Sequence, residues 1–440
     1  MKLGVVSLGC DKATVDSERL VGDLVGHGAT VVPVESADVI LINTCGFIDA
    51  AKKESIDAML EAAELKKNGT VKAVVAVGCL VQRYKDDLKR QIPEVDHFFG
   101  FGDLHNLVPT LAAAGLIEDP VAGHPGVRQY LGEGAHVRYL KISEGCDHTC
   151  AFCAIPLMRG KHRSEPLERL VKEAQHLETQ GAKEINLVAQ DLGHYGRDLG
   201  KGGPKLPDLL GALLRGTTVP WFRLLYVYSF GLTEELVQLI GSERRIVPYI
   251  DIPIQHASDA MLERMRRPER QDTIRSKVAW LRETVPDIAI RSTAIVGFPG
   301  ETDADFRELL DFADELQLER LGVFMYSPQE GTRAAALADD VPDDIKRERH
   351  AELTELQHAI SEERLGRFVG KDTMMLVDAV ADPDDDGATH IGRVPWQADD
   401  VDGITRLMEG GWAKPGDLIP VRVTGNEGYD FTAARRDAAC

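Results

Sequence analysis

The sequence predicts a multidomain α/β protein. An N-terminal doubly wound α/β domain is followed by a central (β/α) partial barrel and a small C-terminal antiparallel β-barrel. Three observations support this: short apolar runs alternate with helical patterns at the start, the alternation lengthens in the middle, and short strand-like segments separated by Asp, Gly and Pro close the chain. A chain of 440 residues, 43% hydrophobic and 28% charged, has the length for two to four globular domains.

The N-terminal domain is predicted to span residues 1–125. Its apolar runs are typical of buried parallel strands, and helical patterns that end on glycine begin at Asp16 and Glu54. The predicted strands are 3–8, 38–43 and 73–78. The Gly-, His- and Pro-bearing stretch 119–134 is predicted to be a linker.

The central domain is predicted to span residues 135–367. Its six strand-like runs are 137–143, 184–189, 221–227, 246–252, 290–296 and 320–326. Helical patterns separate them, and one is expected to begin with a Ser164 cap and to close on Gly181. Six such units predict a full or partial barrel that works at the carboxyl ends of its strands.

The C-terminal domain, residues 370–437, reads as a β-barrel of about five strands. Residues 371–440 carry seven Lys plus Arg and fourteen Asp plus Glu, a net charge of −7, and the whole chain has −20. This charge opposes non-specific nucleic-acid binding and favours either a basic partner or plain solubility. No apolar run approaches the ~18 residues of a membrane span, so we expect a cytoplasmic protein with no membrane partner.

Three of the seven cysteines, Cys146, Cys150 and Cys153, lie within eight residues just after the first strand of the central domain. Their spacing is C-x₃-C-x₂-C, with no fourth cysteine nearby. A four-iron cluster held by three thiolates keeps one iron open for a substrate. A three-cysteine zinc site and an electron-transfer cluster with a remote fourth ligand are the alternatives.

Cys10, Cys45 and Cys79 each follow the end of a predicted N-terminal strand. Because the carboxyl ends of parallel strands share one edge of the sheet, we expect the three thiols to meet there in a metal or cluster site. The alternative is three buried cysteines acting as small hydrophobic residues. Cys440 is given no role.

The central cysteine motif, with Phe152 directly before its third cysteine, resembles the radical S-adenosylmethionine superfamily. The segments "SLGCDKATVDSE" (7–18), "LINTCGFIDAAKKESI" (41–56) and "VGCLVQRY" (77–84) extend the resemblance over the whole chain, to the methylthiotransferase family. The resemblance implies two [4Fe-4S] clusters, one at each cysteine group. It also implies that S-adenosylmethionine is cleaved reductively to a radical that abstracts hydrogen, that a second S-adenosylmethionine gives the methyl group, and that the C-terminal domain is of the TRAM type and contacts the substrate.

Further segments are similar to the family members that act on ribosomal protein S-twelve. They are "YLKISEGCDHTCAFCAIPLMRGKHRS", "LVAQDLGHYG", "YIDIPIQHASDAML", "IVGFPGETDADF" and "GVFMYSPQEGTRAA". The resemblance implies a methylthio group on the β-carbon of an aspartate, an electron donor such as flavodoxin or ferredoxin, and a sulfur source. An acidic C-terminal barrel suits a basic ribosomal protein better than tRNA. The alternatives are a tRNA adenosine methylthiotransferase and a non-catalytic iron–sulfur carrier.

Most candidate contacts to S-adenosylmethionine lie at the predicted strand ends. Four have a structural alternative: Asp191 as a turn cap, Glu301 as an early helix residue, His256 as a structural hydrogen-bonding residue, and Arg223, which lies within a strand, as the partner of a neighbouring Asp. The full set is Phe152, Gln190, Asp191, Arg223, His256, Gly297 and Glu301.

Overall fold

The computed structural model describes residues 1–117, 127–132, 134–385, 387–409 and 411–436. Most of the predicted linker 119–134, and Cys440, lie outside these residues. The described chain forms two parallel sheets, one closed barrel and a short two-stranded sheet. The predicted fold class is confirmed.

The N-terminal sheet has the strand order β2-β1-β3-β4-β5, and all its pairs are parallel. Its elements are β1 (Lys2–Ser7), α1 (Asp11–Gly26), β2 (Thr30–Val31), β3 (Val39–Thr44), α2 (Asp49–Lys67), β4 (Ala73–Gly78), α3 (Cys79–Gln91), β5 (His97–Phe99) and α4 (Leu107–Ala113). Strands β3 and β4 are buried along their whole length, as a sheet with helices on both faces requires. Both predicted helices begin five residues earlier than the pattern suggested, at Asp11 and Asp49.

The central sheet has six parallel strands in the order β13-β12-β11-β10-β9-β6. Its elements are β6 (Val137–Lys141), β7 (Ser143–Glu144), α5 (Ile155–Arg159), β8 (Arg163–Ser164), α6 (Leu167–Thr179), β9 (Glu184–Val188), α7 (Leu206–Gly216), β10 (Trp221–Leu224), α8 (Glu234–Ser242), β11 (Ile246–Asp251), α9 (Asp259–Arg264), α10 (Gln271–Thr284), β12 (Ala289–Val296), α11 (Asp303–Leu316), β13 (Arg320–Met325) and α12 (Asp343–Gly366). No pairing within the described residues joins β13 to β6, so the barrel is partial.

The predicted Ser164 cap of α6 is wrong. Pro166 precedes the helix, and Ser164 lies in β8, where its hydroxyl donates to Asp198 Oδ1 at 2.6 Å. A serine two residues before a proline resembles a helix cap in sequence, but the Ser164 side chain instead forms a hydrogen bond with Asp198, which lies in the segment after β9.

The C-terminal domain is a closed barrel of five strands in the order β14-β15-β16-β18-β17. The strands are β14 (Asp372–Val380), β15 (His390–Arg393), β16 (Thr405–Leu407), β17 (Leu418–Glu427) and β18 (Asp430–Arg435). Closure leaves no unpaired sheet edge, which suits strands this short.

This barrel packs against the inner face of the central sheet, near the start of its strands. Val137, Trp221 and Tyr249 share one apolar core with Phe368 and Trp396, whose rings stack at 4.0 Å. The α-helices cover the opposite face of the sheet.

Glu184 forms an ionic bridge at the centre of this contact. Its Oε1 accepts from Arg223 Nε at 2.6 Å, and its Oε2 accepts from Arg393 Nη1 of the barrel at 2.7 Å. All three side chains are buried. Two guanidinium groups thus compensate one desolvated carboxylate, and they hold the pKa of Glu184 below its ordinary value against its burial.

Ion pairs also fix the N-terminal domain on the central one. Asp16 of α1 accepts from Lys141 and, at 2.9 Å, from Arg159 Nη1; Glu144 accepts from the same two cations at 2.7 Å and 3.0 Å. Because both cations are almost fully buried, this cluster sets the relative position of the two sheets.

No helix in the described part of the chain is long and apolar enough to span a membrane.

Candidate metal centres

Strand register brings the three N-terminal cysteines together. Ser7 pairs with Asn43, and Thr44 pairs with Gly78, so β1, β3 and β4 end at one level as neighbouring strands. Cys45 and Cys79 follow the paired residues directly, and Cys10 starts the turn into α1. The chain at Gly9 lies so close to Cys45 that an added Cβ would come within 3.3 Å of its Sγ.

The second cysteine group lies in the loop between β7 and α5. Two backbone hydrogen bonds fix this loop: Cys146 N donates to Gly160 O at 3.0 Å, and Ala151 N donates to Met265 O at 2.8 Å. Gly145 precedes the loop with φ of +74°, and a Cβ there would lie 2.2 Å from Lys161 O. Only glycine fits at this entry to the loop.

Burial controls the protonation state of the thiols in both cysteine groups. Burial raises the pKa of Cys79 and of Cys146 to about 11, and that of Cys153 to about 12. These thiols stay protonated at neutral pH until a metal displaces the protons.

A buried arginine lies beside each cysteine group. Arg267 Nη1 donates to Cys150 Sγ at 3.7 Å, and its Nη2 is held by Pro253 O at 2.7 Å and Glu269 Oε1 at 2.9 Å. Arg159 acts on Cys79 electrostatically and as a donor, opposing the effect of burial on the thiol pKa. A cluster with three thiolates is anionic, so a buried guanidinium is the group that such a site needs.

Sequence reasoning missed both arginines. Arg159 follows the cysteine motif closely and belongs to a segment that resembles the family, which was the available signal. Arg267 is one of several basic residues between α9 and α10, and nothing in the sequence distinguishes it.

The two cysteine groups are close neighbours in the fold. Cys79 packs against Ala154 and Met158, which belong to the stretch that directly follows Cys153. Helix α5 and the residue before it therefore join the two cysteine groups by direct packing.

Asp191 lies at the end of β9 with an ordered set of donors. Its Oδ2 is 2.8 Å from His148 Nε2 and 3.4 Å from His194 Nε2, and its Oδ1 accepts from Gly193 N at 2.9 Å. Despite burial, the His148 hydrogen bond helps to keep the pKa of Asp191 below its ordinary value. The carboxylate is thus anionic and immobile, and its bond from Gly193 N makes it the cap of the turn after β9, the structural alternative expected for it.

Three aromatic rings surround this carboxylate. His148 stacks on His194 at 4.4 Å and on Tyr228 at 4.2 Å, and burial lowers the pKa of His194 to about 4. None of the three was singled out from the sequence. They position Asp191 next to the cysteine loop that carries His148.

His256 and Glu301 form a buried pair that supports the turn after β12. His256 Nδ1 accepts from Ser258 N at 3.0 Å, so its Nε2–H donates to Glu301 Oε1 at 3.0 Å. Arg349 and Gly297 N donate to Glu301 Oε2, the former at 2.8 Å. Both side chains therefore stabilise the turn through hydrogen bonds within the protein. The group that this turn offers to a ligand is the backbone at Gly297.

Of the other candidate contacts to S-adenosylmethionine, two lie in positions that suit the role and one does not. Phe152 packs with Met261, Phe298 and Tyr326 beside the cysteine loop. Gln190 is buried, and its Oε1 has no partner among the described residues. Arg223, in contrast, is committed to Glu184 and to Pro395 O at 2.7 Å on the side of the C-terminal barrel. Its contacts do not support the interpretation that it binds a methionine carboxylate, and its acidic partner is Glu184 rather than the expected Asp.

Three family models match the chain in order. They are the Uncharacterized protein family UPF0004 over residues 2–100, the Radical SAM superfamily over 140–313 and the TRAM domain over 369–435. Among solved structures, the radical S-adenosylmethionine methyltransferase TsrM from Kitasatospora setae superimposes with a TM-score of 0.55 at 15% identity, covering 74% of each chain. The cobalamin-dependent enzyme OxsB gives 0.52 at 13% identity over 82% of this chain and 56% of its own. These likenesses concern the fold alone.

The domains and the cysteine loop define a radical S-adenosylmethionine enzyme, a class that uses an iron–sulfur cluster and S-adenosylmethionine. The ribosomal protein uS12 methylthiotransferase RimO of Geobacter sulfurreducens is 42% identical to this chain, covering 98% of it and 97% of the relative. The protein of that name from Aquifex aeolicus is 41% identical, covering 100% and 98%. The chain belongs to the family of ribosomal protein uS12 methylthiotransferases, so the methylthiotransferase resemblance predicted from sequence is confirmed.

Proposed function

We propose that this protein is the methylthiotransferase that places a methylthio group on the β-carbon of an aspartate in ribosomal protein uS12. The full-length similarity to the uS12 methylthiotransferases carries the proposal. The acidic net charge supports a basic protein substrate rather than tRNA.

We further propose two [4Fe-4S] clusters, one held by Cys146, Cys150 and Cys153 and the other by Cys10, Cys45 and Cys79. When bound, the first cluster supplies the electron that cleaves S-adenosylmethionine, and the second supplies a site for sulfur. Two sets of three cysteines, each beside a buried arginine, are the observation that supports two clusters.

The residues around these thiols have defined tasks in this proposal. Arg267 and Arg159 balance the negative charge of the thiolates, and the apolar packing around Phe152 excludes water from the central loop. Asp191 and the free Oε1 of Gln190 offer acceptors for the hydroxyl and ammonium groups of S-adenosylmethionine, and the turn at Gly297 offers backbone to its base. A one-electron donor such as flavodoxin or ferredoxin, and a sulfur source, complete the reaction from outside.

The test is modification of purified uS12. The anaerobically reconstituted protein is incubated with dithionite, sulfide, S-adenosylmethionine and uS12, and the product is examined by tandem mass spectrometry. We expect one methylthio group in place of a hydrogen on a single aspartate, and no product with the Cys146→Ala variant. Unmodified uS12 together with modified adenosine in bulk tRNA would overturn the proposal in favour of the tRNA enzyme; consumption of no S-adenosylmethionine would favour an iron–sulfur carrier.

A further inference from the structure

One face of β1 in the N-terminal domain is left partly uncovered. Helix α2 packs over β3 and β4 on this face, and the connection from β2 to β3 contains only the short turn Val34–Ser36 instead of a second helix. Burial therefore decreases along β1: Leu3 is buried, Val6 is half-buried and Ser7 is exposed, whereas β3 and β4 are buried throughout. The open part of the strand is the end that leads to Cys10.

An open groove of about 470 Å³ lies between this part of β1 and the side of α2. Val6 and Leu8 line it on the side of the strand, and Ala50 and Ala58 line it on the side of the helix. The groove is thus apolar at its base and runs along about three turns of α2, from Ala50 to Glu61.

The helix side of the groove is acidic. Glu54, Asp57 and Glu61 follow one another at intervals of three and four residues, which places them on one face of α2. Lys53 is the one basic residue among the described lining residues, and it pairs with Asp57 at 2.5 Å. No cation of the described chain lies within 4.0 Å of the carboxylate of Glu54 or Glu61. These two acids are therefore available to a basic ligand.

Strand β1 also has an outer edge to which another strand can be added. Strand β2 pairs with only Lys2 and Leu3, whereas β3 pairs with every residue from Leu3 to Ser7 on the other side. Within the described residues, the outer edge of β1 has no strand partner after Leu3. An unpaired strand edge beside an apolar groove suits an extended peptide, which is bound by backbone hydrogen bonds and by pockets for alternate side chains.

The groove lies beside the N-terminal cysteine group. Leu8 precedes Cys10 by two residues, and Ala50 follows Cys45 by five. Between Cys45 and α2, Phe47 and Ile48 are each 41% exposed, so they add apolar surface at this end of the helix. A ligand in the groove would therefore lie next to the three N-terminal thiols.

We propose that this groove docks an extended basic segment of ribosomal protein uS12. This inference rests on the proposed function and adds to it a docking site on the N-terminal domain. Charge complementarity selects the occupant, because Lys and Arg side chains of such a segment would meet Glu54 and Glu61 while its apolar side chains contact Val6 and Leu8. Docking here holds the substrate protein beside the cysteine group that we propose to supply the site for sulfur.

The proposal is tested by binding, without turnover. Reconstituted protein is titrated, in the absence of reductant, with fluorescently labelled uS12 at several salt concentrations. The first variant is Glu54→Gln/Glu61→Gln. Its matched control is Glu64→Gln/Glu94→Gln, which removes the same charge from exposed positions of the N-terminal domain outside the groove.

A second pair of variants tests the groove by its shape. Ala50→Trp places an indole in the groove, and the control is Ala113→Trp, at an exposed position of α4 outside the groove. All four variants should keep the iron content of wild type and its cleavage of S-adenosylmethionine in the absence of uS12. These two measurements show that the cysteine groups are intact.

Glu54→Gln/Glu61→Gln should weaken uS12 binding about threefold to tenfold at low salt and by less at high salt, as expected for two exposed ion pairs. Ala50→Trp should lose the binding at every salt concentration, because the indole takes the place of the docked segment. Both controls should bind as wild type does.

If both groove variants bind uS12 as tightly as their controls while wild type modifies uS12, the groove is not the docking site and the proposed function stands. A dimer of wild type that is lost in Ala50→Trp, with unchanged affinity for uS12, would assign the groove to a second copy of this chain and overturn the proposal. If wild type neither binds nor modifies uS12, the docking site and the proposed function both fall.

Discussion

Replacement of Glu184 by glutamine should loosen the contact between the central sheet and the C-terminal barrel. The amide oxygen can accept from Arg223 or from Arg393 but not from both, so one buried guanidinium faces an amide NH₂. Removing one partner of a buried ion pair costs about 3–5 kcal/mol. Arg393 keeps Asp378 at 2.8 Å and Arg223 keeps Pro395 O, so we expect the lower end, about 3 kcal/mol.

The assay is urea unfolding of the cluster-free protein in a Trp280→Phe, Trp412→Phe background, followed by the fluorescence of the two remaining tryptophans, Trp396 and Trp221 in that contact, and by circular dichroism of the whole chain. The fluorescence transition should move to lower urea more than the circular dichroism transition does. Glu263→Gln, on the exposed side of α9, is the matched control and should change stability by less than about 0.5 kcal/mol. A Glu184→Gln protein whose fluorescence midpoint equals that of the control would refute the idea that this bridge holds the barrel.

Two further results are expected. Burial raises the pKa of Asp251 from its ordinary 3.8 to about 6, so between about pH 4 and pH 6 unfolding releases its proton and stability falls as pH rises. The difference in unfolding free energy between wild type and Asp251→Asn should therefore drop by about 3 kcal/mol across that window. A difference that stays constant with pH in parallel urea titrations would contradict this. Gly145→Ala should deplete iron from the central site, because its Cβ would press on Lys161 O. The control is Gly28→Ala, which has a similar positive φ but open space around it and so separates the clash from backbone strain. Equal iron contents of the two variants would show that the clash is tolerated.

The parts of the fold that follow from local pattern were predicted from the sequence. Strands β1, β3 and β4 are continuous apolar runs, and their parallel pairing brings Cys10, Cys45 and Cys79 to one edge. Helix starts were harder, because neither Cys10 nor Ile48 caps its helix with a side chain, so α1 and α2 begin without the usual signal.

Residues whose partners are distant in sequence could not be assigned. His256 and Glu301 looked like candidates for a ligand, but they bond to each other across 45 residues. Arg223, within a predicted strand, was a candidate for the methionine carboxylate, yet its partner Glu184 begins the adjacent strand and lies on the side of the C-terminal barrel. The sequence shows which residues are polar, and only the packing decides which of them are already satisfied.

The direct test of the two-cluster account is an iron and sulfide count after anaerobic reconstitution. Wild type is compared with two triple variants, in which alanine replaces Cys146, Cys150 and Cys153 or replaces Cys10, Cys45 and Cys79. We expect about eight irons in wild type and about four in each variant, with S-adenosylmethionine cleavage lost only in the first. About four irons in wild type, unchanged when the N-terminal cysteines are replaced, would contradict the account.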